Sequence, residues 1–237
     1  KTVVIANADD PQIAHVASFA INKAYFTIDN TFKKGTLLSH AVDSTTCPRC
    51  NRPLLYSGIA YSHLGNYKCS NCVFSNPKGK YYSFQTHLFG SYNIYNLTAA
   101  ILTADKIFGI LPFTSIEYLK TFKAAFGRQE IIEVEGKRIM LLLSKNPTGF
   151  NESLKVTIEN KSSSILILLN DRIPDGRDIS WIWDVDFELL HNKNLKVFVS
   201  GDRCYDMANR LLFAGITHEV FESYEDAYDQ CLKQTPI

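Results

Sequence analysis

The 237-residue chain contains no run of eighteen uninterrupted apolar residues, so no segment of it reads as a membrane-spanning helix. It also lacks a surplus of either charge: 25 Lys and Arg stand against 24 Asp and Glu, a formal net charge of +1. A protein whose whole surface is a field for nucleic acid or membrane would not be so balanced. There is no internal repeat and no low-complexity tract. No cleavage-site pattern follows the opening Lys1-Thr2-Val3-Val4-Ile5-Ala6, so this is not a signal peptide, and opening on a strand-like run leads us to expect further sequence upstream. What is present is 46% hydrophobic and 21% charged, enough for one large or two small cores.

Cysteine is the informative residue type. Four of the six fall in two pairs, Cys47/Cys50 and Cys69/Cys72, while Cys204 and Cys231 stand alone on helix-like segments where core packing is expected. Disulfide frameworks belong mainly to small secreted domains. Paired Cys-x-x-Cys in a longer chain without a signal reads instead as metal binding in a reducing, hence cytoplasmic, compartment. With eighteen residues between the pairs, two knuckles can deliver four thiolates to one Zn²⁺ tetrahedron. Leu54, Leu55, Tyr56, Ile59 and Tyr61 around Gly58, then Gly65-Asn66, fit a hairpin, so a zinc ribbon is expected at about 44–82. Four thiolates leave no open position, which makes the metal a staple rather than a catalyst. His63 is surplus to the tetrahedron and reads as an exposed turn residue; His15, His40, His87, His191 and His218 show no ligand spacing. Between Asp43 and Asp105 there is no acidic residue, whereas Arg49, Arg52, Lys68, Lys78 and Lys80 are all present. Contact with a phosphate-bearing ligand is therefore the alternative role for the ribbon.

Outside the ribbon the rhythm is that of an α/β protein. Residues 2–6 are strand-like, Asp10 is placed to cap a helix with Pro11 at its first position, and a helix at 12–19 and a strand at 23–28 follow. The stretch 92–108 has Ile94, Leu97, Ile101 and Leu102 on one face and Gly109 as a stop. Pro112 reads as a break, and Thr114-Ser115-Ile116-Glu117 as a capping box opening a helix that runs to Gly127. After Arg128 the rhythm restarts, with strands at 138–143, 165–169 and 195–199 and a helix at 150–160. A helix carrying Met207, Ala208, Leu211 and Leu212, a short strand near Val220 and a helix start at Ser223 close the chain. The expected domains are 1–126 and 127–237.

Three motifs occur in a telling order: Val4-Ile5-Ala6-Asn7-Ala8-Asp9-Asp10-Pro11, Gly90-Ser91-Tyr92-Asn93-Ile94-Tyr95-Asn96 followed by Ala99-Ala100, and Gly127-Arg128-Gln129-Glu130. Together they resemble the Mur ligases, the ATP-dependent amide-forming enzymes of peptidoglycan synthesis. They match a late central-domain strand, a G-x-[HY]-N-x-x-N-x-x-A-A helix start and the G-R-x-E that opens the family's C-terminal domain. The four-cysteine ribbon, with Asp175-Gly176-Arg177-Asp178-Ile179-Ser180-Trp181-Ile182-Trp183-Asp184, is similar to the family's amidotransferase branch. The resemblance covers essentially the whole chain. It implies an α/β fold: the remainder of a Mur ligase central domain with an inserted four-cysteine zinc ribbon, followed by a Rossmann-like α/β C-terminal domain. One departure is large. The Gly-rich phosphate loop G-x-x-G-K-[ST] is absent, and the family's terminal segment is cut short, so the chain is expected to be a fragment without ATP chemistry of its own.

By this resemblance Asn93 and Asn96, one helical turn apart, would hold the adenine, with helix capping and simple surface placement as the alternative. Arg128 would reach the terminal phosphate of ATP, the alternative being a hinge arginine paired with Glu130. Lys145 and Asn146 follow a strand at the end where α/β sheets place ligands, and are weaker nucleotide candidates. Asp9 and Asp10 read as helix-capping residues, with metal or nucleotide contact as the minority view. Asp171, Asp175, Asp178, Asp184 and Asp186 crowd beside Trp181 and Trp183. The resemblance implies a GatD-like glutaminase partner whose Cys–His pair needs a third group to orient the imidazole. Asp184 is the first choice for that carboxylate and Asp178 the second; a solvated acidic loop over core tryptophans is the alternative.

The reaction so implied is amidation of the α-carboxylate of D-glutamate in the lipid II stem peptide to D-isoglutamine. It would run through an acyl phosphate made with ATP and Mg²⁺, using ammonia from the partner. Contact with the membrane is then only peripheral, through a membrane-bound substrate, and no nucleic acid is expected. The competing readings are a zinc-stapled docking module without catalysis and, more remotely, a nucleic-acid-binding ribbon.

Overall fold

Asp10 acts as its place before Pro11 requires. Its carboxylate accepts from the N–H groups of Gln12 (2.9 Å) and Ile13 (3.0 Å) and starts helix α1, Pro11–Ser18. In the computed structural model, which describes residues 2–35, 38, 42, 44–122, 128–173 and 176–236, this helix is the crossover between two parallel strands. These are β1 (Val4–Asn7) and β2 (Lys23–Phe26), in register from Val4↔Lys23 to Asn7↔Phe26. His40, Asp43, Gly127 and Asp175 lie outside the described residues, as does the side chain of Arg128. The chain divides into two units, Lys1–Lys123 and Ala124–Ile237.

The first unit continues with an antiparallel hairpin, β3 (Leu54–Tyr61) and β4 (Leu64–Cys69). Its turn is Ser62-His63, with Ser62 at φ 49°, and not Gly65-Asn66. Gly65 is a strand residue for a different reason: a Cβ there would stand 2.1 Å from the Gly58 carbonyl oxygen, so only glycine lets the two strands approach. Helix α2 (Ser91–Phe108) stops at Gly109, whose φ of 69° is left-handed. It packs Tyr95 and Leu102 against Phe26 and Ile28 of the β2 segment and Leu64 of the hairpin.

Helix α3 corrects the sequence reading. It spans Pro112–Leu119, so Pro112 is its first residue rather than a break, and Thr114 lies inside it and caps nothing. A proline has no N–H to lose at that position, which makes it as good a start as the capping box it displaced.

In the second unit, β5 (Arg128–Val134) and β6 (Lys137–Leu142) form a hairpin that only half appears in the sequence reading. Its turn, Glu135-Gly136, has positive φ at both residues (51° and 74°), the two-residue geometry that matches strand twist. Helix α4 (Pro147–Glu159) leads into a three-stranded parallel sheet of β7 (Ser164–Leu168), β8 (Lys196–Ser200) and β9 (Glu219–Val220), with β8 central. Val197, Phe198, Val199 and Ser200 are all buried, the unalternating pattern of a strand covered on both faces. Helix α5 (Cys204–Phe213) supplies Met207 and Leu211 to a core shared with Leu154, Ile167 and Phe187. Ser223 caps the last helix, α6 (Tyr224–Gln234), by accepting from the Asp226 N–H.

A charged pair lies inside the first unit. Lys33 Nζ meets Asp9 Oδ2 at 2.8 Å, with the two side chains only 3% and 2% exposed. The carboxylate also accepts from Thr27 (2.7 Å), the Tyr95 hydroxyl (2.7 Å) and Asn76 (3.1 Å). Lys33 directs its other two donors to Thr27 (2.9 Å) and Asn66 (3.0 Å). Asp9 is therefore a hub and not a helix cap. Burial, and then the charge of Asp9, push the Tyr95 hydroxyl well above the ordinary tyrosine range, so it stays protonated and keeps donating. Lys33→Met should leave a buried carboxylate short of its counter-charge and cost about 3–5 kcal/mol, read as a lower denaturant midpoint for this unit. An unchanged midpoint would mean that the pair does not hold the unit.

Candidate functional site: a four-thiol cluster and an acidic loop

Each Cys-x-x-Cys sits in a tight turn at one end of the β3–β4 hairpin. The Cys47 N–H donates to the Arg52 carbonyl (2.7 Å) and the Cys69 N–H to the Phe74 carbonyl (2.7 Å), which curls the two turns toward each other. All four sulfur atoms lie within 4.8 Å of one another. The Cys47–Cys72 and Cys50–Cys69 separations are 3.7 Å and 3.5 Å. Four thiolates tetrahedrally placed at the zinc–sulfur bond length would stand about 3.8 Å apart, close to these two separations, so the set could hold that ion. Backbone N–H groups point at the sulfurs: Arg49 to Cys47 (3.4 Å), and Asn71 and Cys72 to Cys69 (both 3.3 Å). The Cys72 N–H, working against burial and aided by that of Asn71, draws the Cys69 thiol down to about 6. A thiol so lowered is ready to ligate.

His63 is not the exposed turn residue that the sequence suggested. Its ring is mostly covered, and Nε2 lies 3.3 Å from Asp10 Oδ2, fastening the hairpin turn to the start of α1. Burial opposes ionisation of Asp10, but the bond to His63 and the N–H groups of Ile13 and Gln12 outweigh it and hold the carboxyl below its ordinary 3.8.

The nucleotide candidates divide between the units. In the first, Asn93 is half-buried and its carboxamide nitrogen donates to the Phe89 carbonyl (2.8 Å), whereas Asn96 is exposed and without a partner among the described residues. In the second, Asn146 caps α4 by accepting from the Gly149 N–H at 2.7 Å, and Lys145 beside it is exposed with no ion pair among the described residues. Of Arg128 the backbone is the first residue of β5.

The acidic run resolves into residues with different commitments. Asp171 pairs with Arg203 at 3.0 Å, and Asp186 exchanges two hydrogen bonds of 2.8 Å with Asn151. Asp178 is exposed and accepts from the Ser180 N–H (2.8 Å); bonding to Ser180 keeps its carboxyl below the usual range. Asp184, which ends a 3-10 turn at Ser180–Asp184, is exposed and has no partner among the described residues. The tryptophans split. Trp181 packs on Phe150 (6.1 Å), while Trp183 is half-exposed between Phe213 and the buried Arg210, whose guanidinium sits 5.8 Å from its ring.

Sequence reasoning missed a cleft of about 260 Å³ beyond the carboxyl end of β8, lined by Gly201, Asp202, Cys204, Tyr205, Glu222 and Tyr224. Arg172 grips Asp202 there through two bonds (2.6 and 2.9 Å). The available signal was Ser200-Gly201-Asp202 directly after an apolar strand, where α/β sheets open their crevices.

Comparison with known proteins finds likenesses of one kind. Residues 143–236 match the family model for the MurT ligase C-terminal region. The MurT subunit of lipid II isoglutaminyl synthase from Staphylococcus aureus is 29% identical over 235 residues, which is 90% of this chain and 52% of that protein. Its Streptococcus pneumoniae counterpart is 28% identical over 239 residues, 91% of this chain and 53% of the relative. The chain is MurT-like. It spans about half the length of the curated relatives it matches.

Solved structures show the same Mur ligase-like α/β fold. A pseudomurein peptide ligase type C from Methanothermus fervidus superposes with a TM-score of 0.72 at 22% identity, covering 98% of this chain and 51% of its own. MurF from Acinetobacter baumannii gives 0.60 at 14% identity, over 98% and 45%. No helix among the described residues of this MurT-like chain is long and apolar enough to cross a membrane.

Two outcomes follow. Purified protein should carry about one zinc per chain, lost on Cys72→Ser; four titratable thiols and no metal would refute the cluster as a metal site. Because the folded Asp10 pKa lies below 3.8, its stabilisation is present above that pH and lost as pH falls through the folded value. Asp10→Asn keeps a capping side chain, so its stability deficit, measured by urea unfolding from pH 7 to pH 3, should shrink below about pH 4.

Proposed function

We propose that this chain is part of the synthetase subunit of a glutamine-dependent amidotransferase. That subunit would amidate the α-carboxylate of D-glutamate in the lipid II stem peptide to D-isoglutamine. The observation that carries the reading is the MurT likeness, which runs through nine-tenths of the chain rather than one motif. On this reading the first unit belongs to the central, nucleotide-binding domain, residues 127–237 to the C-terminal domain, and the ribbon at about 44–82 is an insertion stapled by structural Zn²⁺ on Cys47, Cys50, Cys69 and Cys72. ATP with Mg²⁺, when bound, supplies the phosphoryl group that makes a resting carboxylate electrophilic. The chain's own residues then position it: Asn96 offers an adenine edge both a donor and an acceptor, and Asn93 keeps its carbonyl oxygen for the same edge. Lys145 and Arg128 supply cationic charge, and Asn146 has one carboxamide donor group left beyond its cap. The Gly-rich Lys-Ser/Thr loop that would cradle the phosphates is absent from the chain. We assign it to the part of the longer relatives that this chain does not cover, so the chain alone should be inactive.

For the partner, a GatD-like glutaminase in a heterodimer, Asp184 is the carboxylate of choice. It is exposed and uncommitted, whereas Asp178 already bonds Ser180. A third group beside a Cys–His pair fixes the imidazole tautomer, and losing it costs orders of magnitude in rate without unfolding the protein.

The test is glutamine-dependent amidation of lipid II by the complete gene product with its glutaminase. Asp184→Asn should lower glutamine hydrolysis about a hundredfold or more while the complex still forms, and Asp178→Asn should change it little. Full hydrolysis in Asp184→Asn removes the triad assignment. A complex that consumes no ATP with lipid II and glutamine removes the ligase reading and leaves the docking module.

A further inference from the structure

One peptide group in the second unit is held from both sides by buried side chains. It joins Val185 to Asp186, directly after the Ser180–Asp184 turn. On one side the Val185 carbonyl accepts from the Arg210 guanidinium at 2.6 Å. On the other the Asp186 N–H donates to the Asn151 carboxamide oxygen at 2.8 Å. Asn151 completes the exchange by donating its Nδ2 to Asp186 Oδ2, also at 2.8 Å. Asn151 and Arg210 are only 4% and 5% exposed, and they come from different helices, α4 and α5. The surroundings are pinned as well. Ile182 and Val185 are buried on either side of Asp184 in the sequence. Phe150 of α4 packs on Trp181 (6.1 Å) and Phe187 (5.2 Å), and the Arg210 guanidinium lies 5.3 Å from the Phe187 ring.

Stability alone does not call for this arrangement. Arg210 is withdrawn from water although its Nε finds no hydrogen-bond partner among the described residues, and its counter-ion Glu188 is exposed. A buried cation so incompletely answered is weak support for a fold. What it secures is a direction. The 185–186 peptide plane is gripped on both sides, and the Val185 N–H donates to the Ile182 carbonyl at 3.3 Å. The backbone at Asp184 is thereby held, and an aspartate, with two side-chain torsions, has few places left for its carboxylate. We propose that Asn151 and Arg210 are positioning residues for Asp184, setting the line along which its carboxylate meets the imidazole of the glutaminase. The proposal rests on the triad reading of Asp184 and adds the groups that make it effective. The third member of a triad works by orienting the imidazole, so small errors in its placement are costly in rate.

The experiment is steady-state glutamine hydrolysis by the complete gene product with its glutaminase. Asn151→Ala should lower kcat about tenfold and leave the glutamine KM unchanged, because the clamp is buried and acts only through Asp184. Arg210→Met, which keeps much of the volume but removes the donor to the Val185 carbonyl, should do the same. On an Asp184→Asn background neither substitution should lower kcat further. Asn151→Asp sets two carboxylates against each other and should also lower kcat. Adding Asp186→Asn to it restores both hydrogen bonds with donor and acceptor exchanged, and should return kcat to near the parent value. This swap carries the test where Asn151→Ala does not fold. Loss of hydrolysis in Asp184→Asn with full hydrolysis in Asn151→Ala and Arg210→Met overturns the positioning role and leaves the triad assignment standing. Full hydrolysis in Asp184→Asn removes the assignment and the positioning role with it. An additive loss on the Asp184→Asn background, or a raised KM at constant kcat, overturns the proposal. So does a swap that fails to fold, or that folds without recovering kcat.

Discussion

A lysine and an aspartate withdrawn from water organise the first unit. Burying both charges is expensive, and the cost is offset only if every donor and acceptor finds a partner. Here the accounting closes: the Lys33 ammonium has three donors and uses them on Asp9, Thr27 and Asn66, while the Asp9 carboxylate receives Lys33, Thr27, Tyr95 and Asn76. These residues come from the end of β1, the segment after β2, the ribbon hairpin, its exit and α2. One ion pair therefore fixes how the ribbon sits on the sheet and how α2 is rotated. That rotation turns Tyr95, the buried residue between Asn93 and Asn96, inward and leaves Asn96 in solvent.

The ribbon and the acidic loop are different answers to the same requirement, a fixed shape without a large core. In the ribbon, two turns are closed by short backbone hydrogen bonds and four sulfurs are brought to metal-binding distance. In the second unit the loop after β7 is held from beneath by Arg210, which is buried yet donates to the Val185 carbonyl (2.6 Å) and to Glu188 (3.0 Å). Val185, Phe187 and Leu190 anchor the same segment in the core. A loop so anchored presents Asp184 outward on a well-packed base.

Local signals made much of this legible. The cysteine spacing, the Asp10 and Ser223 caps, the Gly109 stop and the apolar runs of β7 and β8 each depend on neighbours a few residues away, and the structure follows them. The misreadings share a cause. Thr114-Ser115-Ile116-Glu117 and Pro112 both carry valid helix-start chemistry, and sequence alone does not rank them. Strand β5 was missed because Arg128, Glu130 and Glu133 mask its alternation, although Glu135-Gly136 marks its turn. Asp9 was taken for a cap because its partner Lys33 is 24 positions away, and His63 for a free turn residue because Asp10 is more distant still. Long-range polar pairing leaves no periodic trace. Of the site, the thiol cluster was readable from spacing; the sequence ranked Asp184 before Asp178, but that Asp178 bonds Ser180 while Asp184 has no partner among the described residues is visible only in the structure.

Both tryptophans of the chain, Trp181 and Trp183, lie in the 3-10 turn that ends at Asp184, and the first unit has none. Emission excited at the red edge of the indole band, where the tyrosines absorb little, therefore originates from the few residues next to the Asp184 carboxylate. With one indole sheltered and the other half in solvent against a guanidinium, the spectrum carries a built-in optical label at that spot. Occlusion of the wetter ring by an incoming subunit would shift its colour without any dye being attached.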